Sequence, residues 1–469
     1  MAKTCIQVLG GIGFTFEHDA HLYLRRALSL RAAFARPDAA AERLTGAAVD
    51  GVRRRVEVDL EGRDEAVRPG LRAEVESIAA LPEPDRRAAL VDTGLLMPHW
   101  PTPYGRAADA VTQVVIDEEL ARAGVPRPDI VIAGWALPTI LQHGTDAQRE
   151  RFVRPSLLGD LVWCQLFSEP GAGSDLAGLQ AKAVRDGDEW IITGQKVWTS
   201  GGHMAQKGML IARTDPEAPK HQGITYFAIE MDQPGVEVRP LREMTGQALF
   251  NEVFLDEARV PHDAVIGGLG AGWAVANTTL AVERASLGGG GKHPISVPPG
   301  PIAGRLQKRV GDFTDRANRG PDGEGGRGMG TDAMIDLARA AGNADDLIVR
   351  QEIVKLHILG EVNRLNMLRA KSGGSRTGAE GNLAKLSMSE MVRQSREVGN
   401  LIIGADGMLA ASESATGGVV QEVTVFSPAP AIYGGTDQVQ RNIIGERVLG
   451  LPKEPGPPKG TPFRELLQN

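Results

Sequence analysis

Two stretches of this chain combine residue types able to hold and shield a flat, polar-edged ligand: Phe167-Ser168-Glu169-Pro170-Gly171-Ala172-Gly173-Ser174-Asp175 and Trp190-Ile191-Ile192-Thr193-Gly194-Gln195-Lys196-Val197-Trp198-Thr199-Ser200-Gly201. Glycines and small residues between strands let backbone amides approach such a ligand closely, and the hydroxyls of Ser168 and Ser200 can bond its heteroatoms. Trp198 can cover its face. The plainer alternative for either stretch alone is a Gly-rich turn beside a core tryptophan. Taken together, the two stretches favour the ligand. No G-x-G-x-x-G fingerprint follows a strand and opens a helix, and Gly291-Lys292-His293 lacks the Ser or Thr that completes a phosphate loop, so neither nucleotide motif is used. His18 and His21 have no further ligands clustered with them and are read as structural, leaving no metal site.

These residues need elements to position them. From about Leu71 to Leu157 the pattern is helical, with Ala107, Val111, Val114 and Val115 at helical spacing and a break at Pro98-His99-Trp100-Pro101. From Val162 to about Ile266 short β-rich runs take over, among them Met209-Leu210-Ile211-Ala212 and Ile224 to Ile229, which predicts a domain of mixed or antiparallel strands. Beyond Gly272 helical patterns return, notably Leu347 to Ala370 and Asn382 to Leu401, interrupted by Gly- and Pro-rich stretches at 288 to 303 and 319 to 330. The expected class is therefore α+β, in the order helices, sheet, helices. Its expected division is a short helical segment (1–35), a polar connector (36–64), a helical domain (65–160), a β domain (161–270), a second helical domain (271–455) and a tail (456–469).

Composition narrows the function classes. At 469 residues the chain is long enough for several packed domains. Its 42% hydrophobic and 24% charged residues are those of an ordinary globular protein, and no stretch reaches the roughly 18 apolar residues of a membrane span. The net charge of -7 disfavours nonspecific nucleic-acid binding, which needs a basic surface. Two cysteines and no secretory leader pattern make a reducing cytoplasm the default reading.

The run Ser168 to Asp175 resembles a signature of the acyl-CoA dehydrogenase family: a hydroxyl residue, Glu, two residues, a small residue, Gly, Ser or Thr, and Asp. Phe167 departs from the smaller aliphatic residue usual there. The resemblance extends from about Asp64 to Pro455, taking in Gly194-Gln195-Lys196 and the ending Tyr433-Gly434-Gly435-Thr436-Asp437-Gln438-Val439-Gln440-Arg441. It implies an N-terminal helical domain, a middle β domain and a C-terminal four-helix bundle. It also implies FAD as cofactor, acyl-CoA as substrate and an electron-transfer flavoprotein as electron acceptor. Carried over residue by residue, Phe167 and Ser168 contact the isoalloxazine, Trp198 packs on it, Thr199 is a further cofactor-binding residue, and Ser200 approaches its N5 edge. Thr436 and Gln438 lie along the pyrophosphate and ribose, and Ser174 meets the CoA.

Removing a proton α to a thioester needs a carboxylate beside that carbon, donors to the carbonyl oxygen and a hydride acceptor at the β carbon. Many family members carry the base as the Glu of Tyr-Glu-Gly-Thr, where this chain has Gly434. A second family pattern, Leu-x-x-Glu-Arg, is met by Leu280-Ala281-Val282-Glu283-Arg284. The resemblance thus assigns the base to Glu283. Arg284 would steady the loop or the CoA, and the Gly434 amide would still serve the thioester carbonyl. An isolated Glu-Arg pair would otherwise read as a solvated ion pair.

Gln7-Val8-Leu9-Gly10-Gly11 resembles a second family signature that belongs near a C-terminus, while the corresponding place in the body, Leu401 to Met408, has lost it. In family dimers this segment meets the adenine end of a neighbour's FAD, which implies that role for Gln7, Gly10 and Gly11. Residues 1–35 then look like the end of a preceding dehydrogenase unit, as in fused or heteromeric actinobacterial enzymes acting on steroid side-chain thioesters. The alternative is an ordinary helix from a mis-started frame. A homo- or hetero-oligomer is expected. The run Gly288 to Gly291 gives room for a bulky acyl group or is a plain loop. Two other functions stay open: an acyl-CoA oxidase, and a noncatalytic flavin- or thioester-binding scaffold subunit.

Overall fold

In the computed structural model the described residues are 60–288 and 330–466, less 131, 246, 247, 249, 372–377, 410–412, 454 and 459, together with 6, 9, 12, 15, 16, 18–33, 42–47, 50 and 52. The order is α1 (Ala20–Ala33), α2 (Arg68–Ala79), α3 (Glu83–Asp92), α4 (Ala110–Arg122), α5 (Ala133–His143) and α6 (Asp146–Leu158). Then come β1 (Trp163–Leu166), β2 (Lys182–Asp186), β3 (Glu189–Ser200), β4 (Lys207–Arg213), β5 (Ile224–Glu230), β6 (Val236–Leu241), β7 (Phe250–Pro261) and β8 (Val265–Ile266). The chain continues through α7 (Gly272–Gly288), α8 (Thr331–Ala340), α9 (Leu347–Lys371), α10 (Glu380–Ile403), α11 (Val419–Phe426) and α12 (Asp437–Ile443). Helices, sheet and helices follow one another as the pattern predicts.

The chain forms two compact units. The larger comprises Val58–Gly328, Val362–Val392 and Glu422–Asn469. Its helices begin and end where local chemistry dictates. Asp109 caps α4 by accepting from the Thr112 amide, so Ala107, at φ 49° and outside the helix, does not belong to the apolar stripe that Val111, Val114 and Val115 form. Thr145 and Gln148 make a reciprocal capping box on α6, which Gly159 ends at φ 91°. The sheet runs β6-β7-β3-β2-β4-β5-β8 with β1 parallel to β4. It is mixed, because β2 and β4 are also parallel while the other pairs are antiparallel.

Both faces of its centre are buried, which explains why β4 and β5 read as continuous apolar runs. Met209, Ile211 and Tyr226 join a core with Val75, Leu137 and Phe152 of the helices, while Leu210, Ala212 and Phe227 join a second core with Trp190 and Val253. That alternation is the two-residue period of a strand.

The smaller unit comprises Met1–Glu57, Met329–Glu361 and Arg393–Gln421. Within it Val349, Ile353, Val398 and Ile402 are buried, and Asn343 donates to the Ile402 carbonyl at 2.8 Å. Thr45, inside the stretch read as a connector, is fully buried and donates to the Arg350 carbonyl at 2.9 Å. Gln7, Gly10, Gly11 and Gly289 to Gly291 lie outside the described residues.

Candidate active site

Hydrogen bonds lace the two motif stretches together. The Val197 amide donates to the Ser168 carbonyl at 2.9 Å, and the Lys196 ammonium donates to the Phe167 carbonyl at 3.1 Å and to Glu169 Oε1 at 2.7 Å. Glu169 also accepts from the Gln180 and Ala181 amides at 2.7 and 3.0 Å. Lys196 is fully buried, and that burial pulls its ammonium below the usual range, with Glu169 opposing. One buried ion pair therefore fixes the start of the first motif against the middle of the second.

Directly after this clamp the chain breaks the strand rule. The register of β3 against β7 slips between Lys196 and Thr199, and Trp198 sits in the left-handed region at φ 63°. A β-bulge re-aims its side chain, and a non-glycine residue at positive φ is strained. The result is an indole left 56% exposed, braced at its edge by Phe250 at 5.8 Å. Ser168 and Ser200 are half-exposed. Thr199 is turned inward instead: it is fully buried, its hydroxyl has no partner among the described residues, and its carbonyl accepts from Asn251. An uncovered aromatic plate with hydroxyls beside it has the donor chemistry a flavin ring needs, so these residues fit that group.

Glu283 lies on α7, one turn beyond Thr279, and is 7% exposed. Its helix is fixed by a buried hydroxyl network in which Thr279 meets Thr139 of α5 at 2.9 Å and Tyr226 of β5 at 3.3 Å. Tyr226 in turn packs edge-on against Phe167 at 5.9 Å. Gln165, two residues before Phe167, donates to Glu283 Oε2 at 3.2 Å. The carboxylate and the first motif are thus tied together from two directions. Burial raises the Glu283 pKa above the ordinary carboxylate range, with Gln165 and then Arg284 opposing. Arg284 is itself pulled down by burial, with Glu283 opposing and the charge of Arg447 adding to the fall.

Sequence reading did not find Gln165. In the folded strand Trp163 and Phe167 belong to one core, and Cys164 and Leu166 to the other, so Gln165 is a polar residue on the side of Trp163 and Phe167. Replacing it with Leu removes a donor to a charged acceptor, worth about 1.5–3 kcal/mol. The expected result for Gln165→Leu is an acid limb of the rate profile moved up by about one pH unit or more, read from kcat/KM against pH.

The C-terminal part of the site is a loop. Gly434 and Gly435 have φ 63° and 80°, and Thr436 caps α12 by accepting from the Val439 amide at 3.2 Å. Gln438 is exposed on the first turn of α12. Behind it Asp437 is buried against Lys385 at 3.1 Å and Ser389 at 2.8 Å. Ser174 is exposed, and its neighbour Asp175 pairs with Lys220. Among the described residues no helix is long and apolar enough to cross a membrane.

Family profiles match along the chain: acyl-CoA dehydrogenase, N-terminal domain, at 64–160; middle domain, at 164–257; and C-terminal domain, at 332–449. Acyl-CoA dehydrogenase FadE34 of Mycobacterium tuberculosis is 45% identical over 96% of this chain, which spans 58% of that longer protein. Acyl-CoA dehydrogenase IpdE1 of the same organism is 35% identical over 79% of this chain and 89% of its own length. A solved structure described as the Tcur3481-Tcur3483 steroid ACAD superposes with a TM-score of 0.60 at 27% identity, covering 83% of this chain and 98% of that one. The motifs, the three-part fold and these matches agree, and the chain belongs to the acyl-CoA dehydrogenase family.

Proposed function

We propose that this protein removes two hydrogens from the α and β carbons of an acyl-CoA thioester, with Glu283 as the base. The observation that carries the reading is the buried carboxylate of Glu283, hydrogen-bonded to Gln165 beside the Phe167-Ser168 stretch, in a chain whose alternative base position is Gly434. Burial raises the proton affinity of Glu283 toward the working pH, which suits a general base. The Gly434 amide is offered to the thioester carbonyl, Ser174 to the CoA, and Arg284 steadies the end of α7. Bound FAD would supply the hydride acceptor. Phe167, Ser168, Trp198 and Ser200 would hold its ring, Thr199 would support the strand from inside, and Thr436, Gln438, Gln7, Gly10 and Gly11 would serve its nucleotide end.

A bulky, steroid-type acyl group is the substrate class we favour, because Gly434 leaves side-chain space where a carboxylate would otherwise stand and because a steroid ACAD is among the structural neighbours. An electron-transfer flavoprotein as acceptor, a cytoplasmic location, assembly with a like or unlike dehydrogenase unit, and residues 1–35 as the end of a preceding unit complete the reading. Exposed Leu347, Ile348, Ile358 and Leu365 on α9 support assembly.

Mass analysis of thioester after turnover tests the reaction type. A product two hydrogens lighter, formed with an artificial electron acceptor and without peroxide, is expected. Peroxide in step with product would make it an oxidase, and unchanged thioester would leave the scaffold reading.

A further inference from the structure

The Gly434–Gly435 loop has no side chains of its own, so whatever it contributes comes from backbone atoms whose direction must be fixed from outside. Gln440 does this. It is fully buried, and its Nε2 donates to the Gly434 carbonyl at 2.8 Å and to the Gly435 carbonyl at 3.2 Å. Its Oε1 accepts from Asn382 Nδ2 of α10 at 2.6 Å, which sets the orientation of the amide. A Cβ on Gly435 would lie 2.6 Å from Gln440 Nε2, so the clamp closes only over a glycine. In a trans peptide the N–H points opposite to the preceding C=O. Pinning the Gly434 carbonyl toward Gln440 therefore turns the Gly435 N–H away from it, and the Gly434 N–H, in the preceding peptide, is related to the pinned peptide through Gly434's own backbone, at φ 63°. Among the described residues neither amide donates to another group.

We infer that Gln440, backed by Asn382, is a positioning residue that aims the amides of the Gly434–Gly435 loop at the substrate's thioester carbonyl. This rests on the reading of Gly434 given above. In this chain no side chain at 434 braces the loop against the substrate, and both residues occupy the left-handed region where glycine is freest. Without a brace, donors meant to meet developing negative charge would have to be ordered during the reaction, and the advantage of preorganisation would be lost.

The test uses the flavin-loaded protein and an enoyl-CoA whose thioester is conjugated to an aromatic ring, so that hydrogen bonds to the carbonyl move its absorption to longer wavelength. The wild type is expected to give that red shift. Gln440→Met, of similar size but unable to donate, is expected to lose most of it, with kcat down about 100-fold and KM little changed. Gln440→Glu should recover the shift at low pH, where a protonated carboxyl can donate to the Gly434 carbonyl, and lose it as pH rises. That pH-dependent rescue also decides the matter if the Met variant does not fold. A Met variant that keeps the full red shift, or a Glu variant whose shift ignores pH, would show that Gln440 only supports the fold. A wild type that binds the probe without any red shift would instead remove the role assigned to Gly434, and the inference with it.

Discussion

Glu283→Gln lowers kcat/KM by about 100- to 10,000-fold, the usual worth of a positioned general base, while thioester binding changes little. Glutamine keeps the shape of the side chain, so Gln165 can turn its amide and the hydrogen bond at this place survives. Stability should move the other way. A carboxyl whose folded pKa is raised contributes stability that is full below its unfolded pKa and lost as pH rises through the folded value. At neutral pH the wild type therefore carries the cost of a buried charge that the variant lacks. The melting temperature of Glu283→Gln is expected to match or exceed that of the wild type at pH 7, with the difference closing under acid. A residue that lowers stability where it sits while serving the reaction is what a site placed for chemistry predicts.

Breaking the Lys196–Glu169 pair strongly destabilises the fold. Removing one partner of a buried pair costs about 3–5 kcal/mol, because the other charge is left in a dry interior. The two single substitutions are not equivalent. In Lys196→Met, Glu169 keeps the Gln180 and Ala181 amides. In Glu169→Ala, Lys196 keeps the Phe167 carbonyl, but the buried Ala181 amide and the part-buried Gln180 amide lose their acceptor. Glu169→Ala should therefore be the more damaging, as read from denaturant midpoints of the two variants. Because the pair ties Phe167 and Glu169 to the strand that carries Trp198, both variants should also hold flavin more weakly. Equal midpoints for all three proteins would show that the pair is not a clamp.

How much of this was legible in the sequence depends on which residues carry it. Strands β4 and β5 announced themselves through unbroken apolar runs, and α9 and α10 through long periodic ones, because burial and periodicity are local properties of a sequence. Ala107 was misplaced because apolar spacing cannot see that Asp109 starts the helix two residues later. Glu283, Trp198 and Ser168 were found through their motifs. Gln165 and Gln440 carry no motif of their own. One meets Glu283 across 118 positions and the other meets Asn382 across 58, and such pairings appear only when the chain is folded. The exposure of Trp198 was likewise invisible, since nothing in Lys196-Val197-Trp198-Thr199 marks the register slip that turns it outward.

In the proposed reaction Glu283 takes the α proton of the thioester, and bound FAD would supply the hydride acceptor. The experiment is anaerobic absorbance of the flavin-loaded protein, titrated with a steroid side-chain CoA thioester and separately with a straight-chain acyl-CoA. Bleaching of the flavin band in the wild type, stronger with the steroid thioester and absent in Glu283→Gln, is the predicted result. Bleaching that persists in Glu283→Gln would rule out Glu283 as the base, and a wild type that binds flavin and thioester without bleaching would rule out the dehydrogenation.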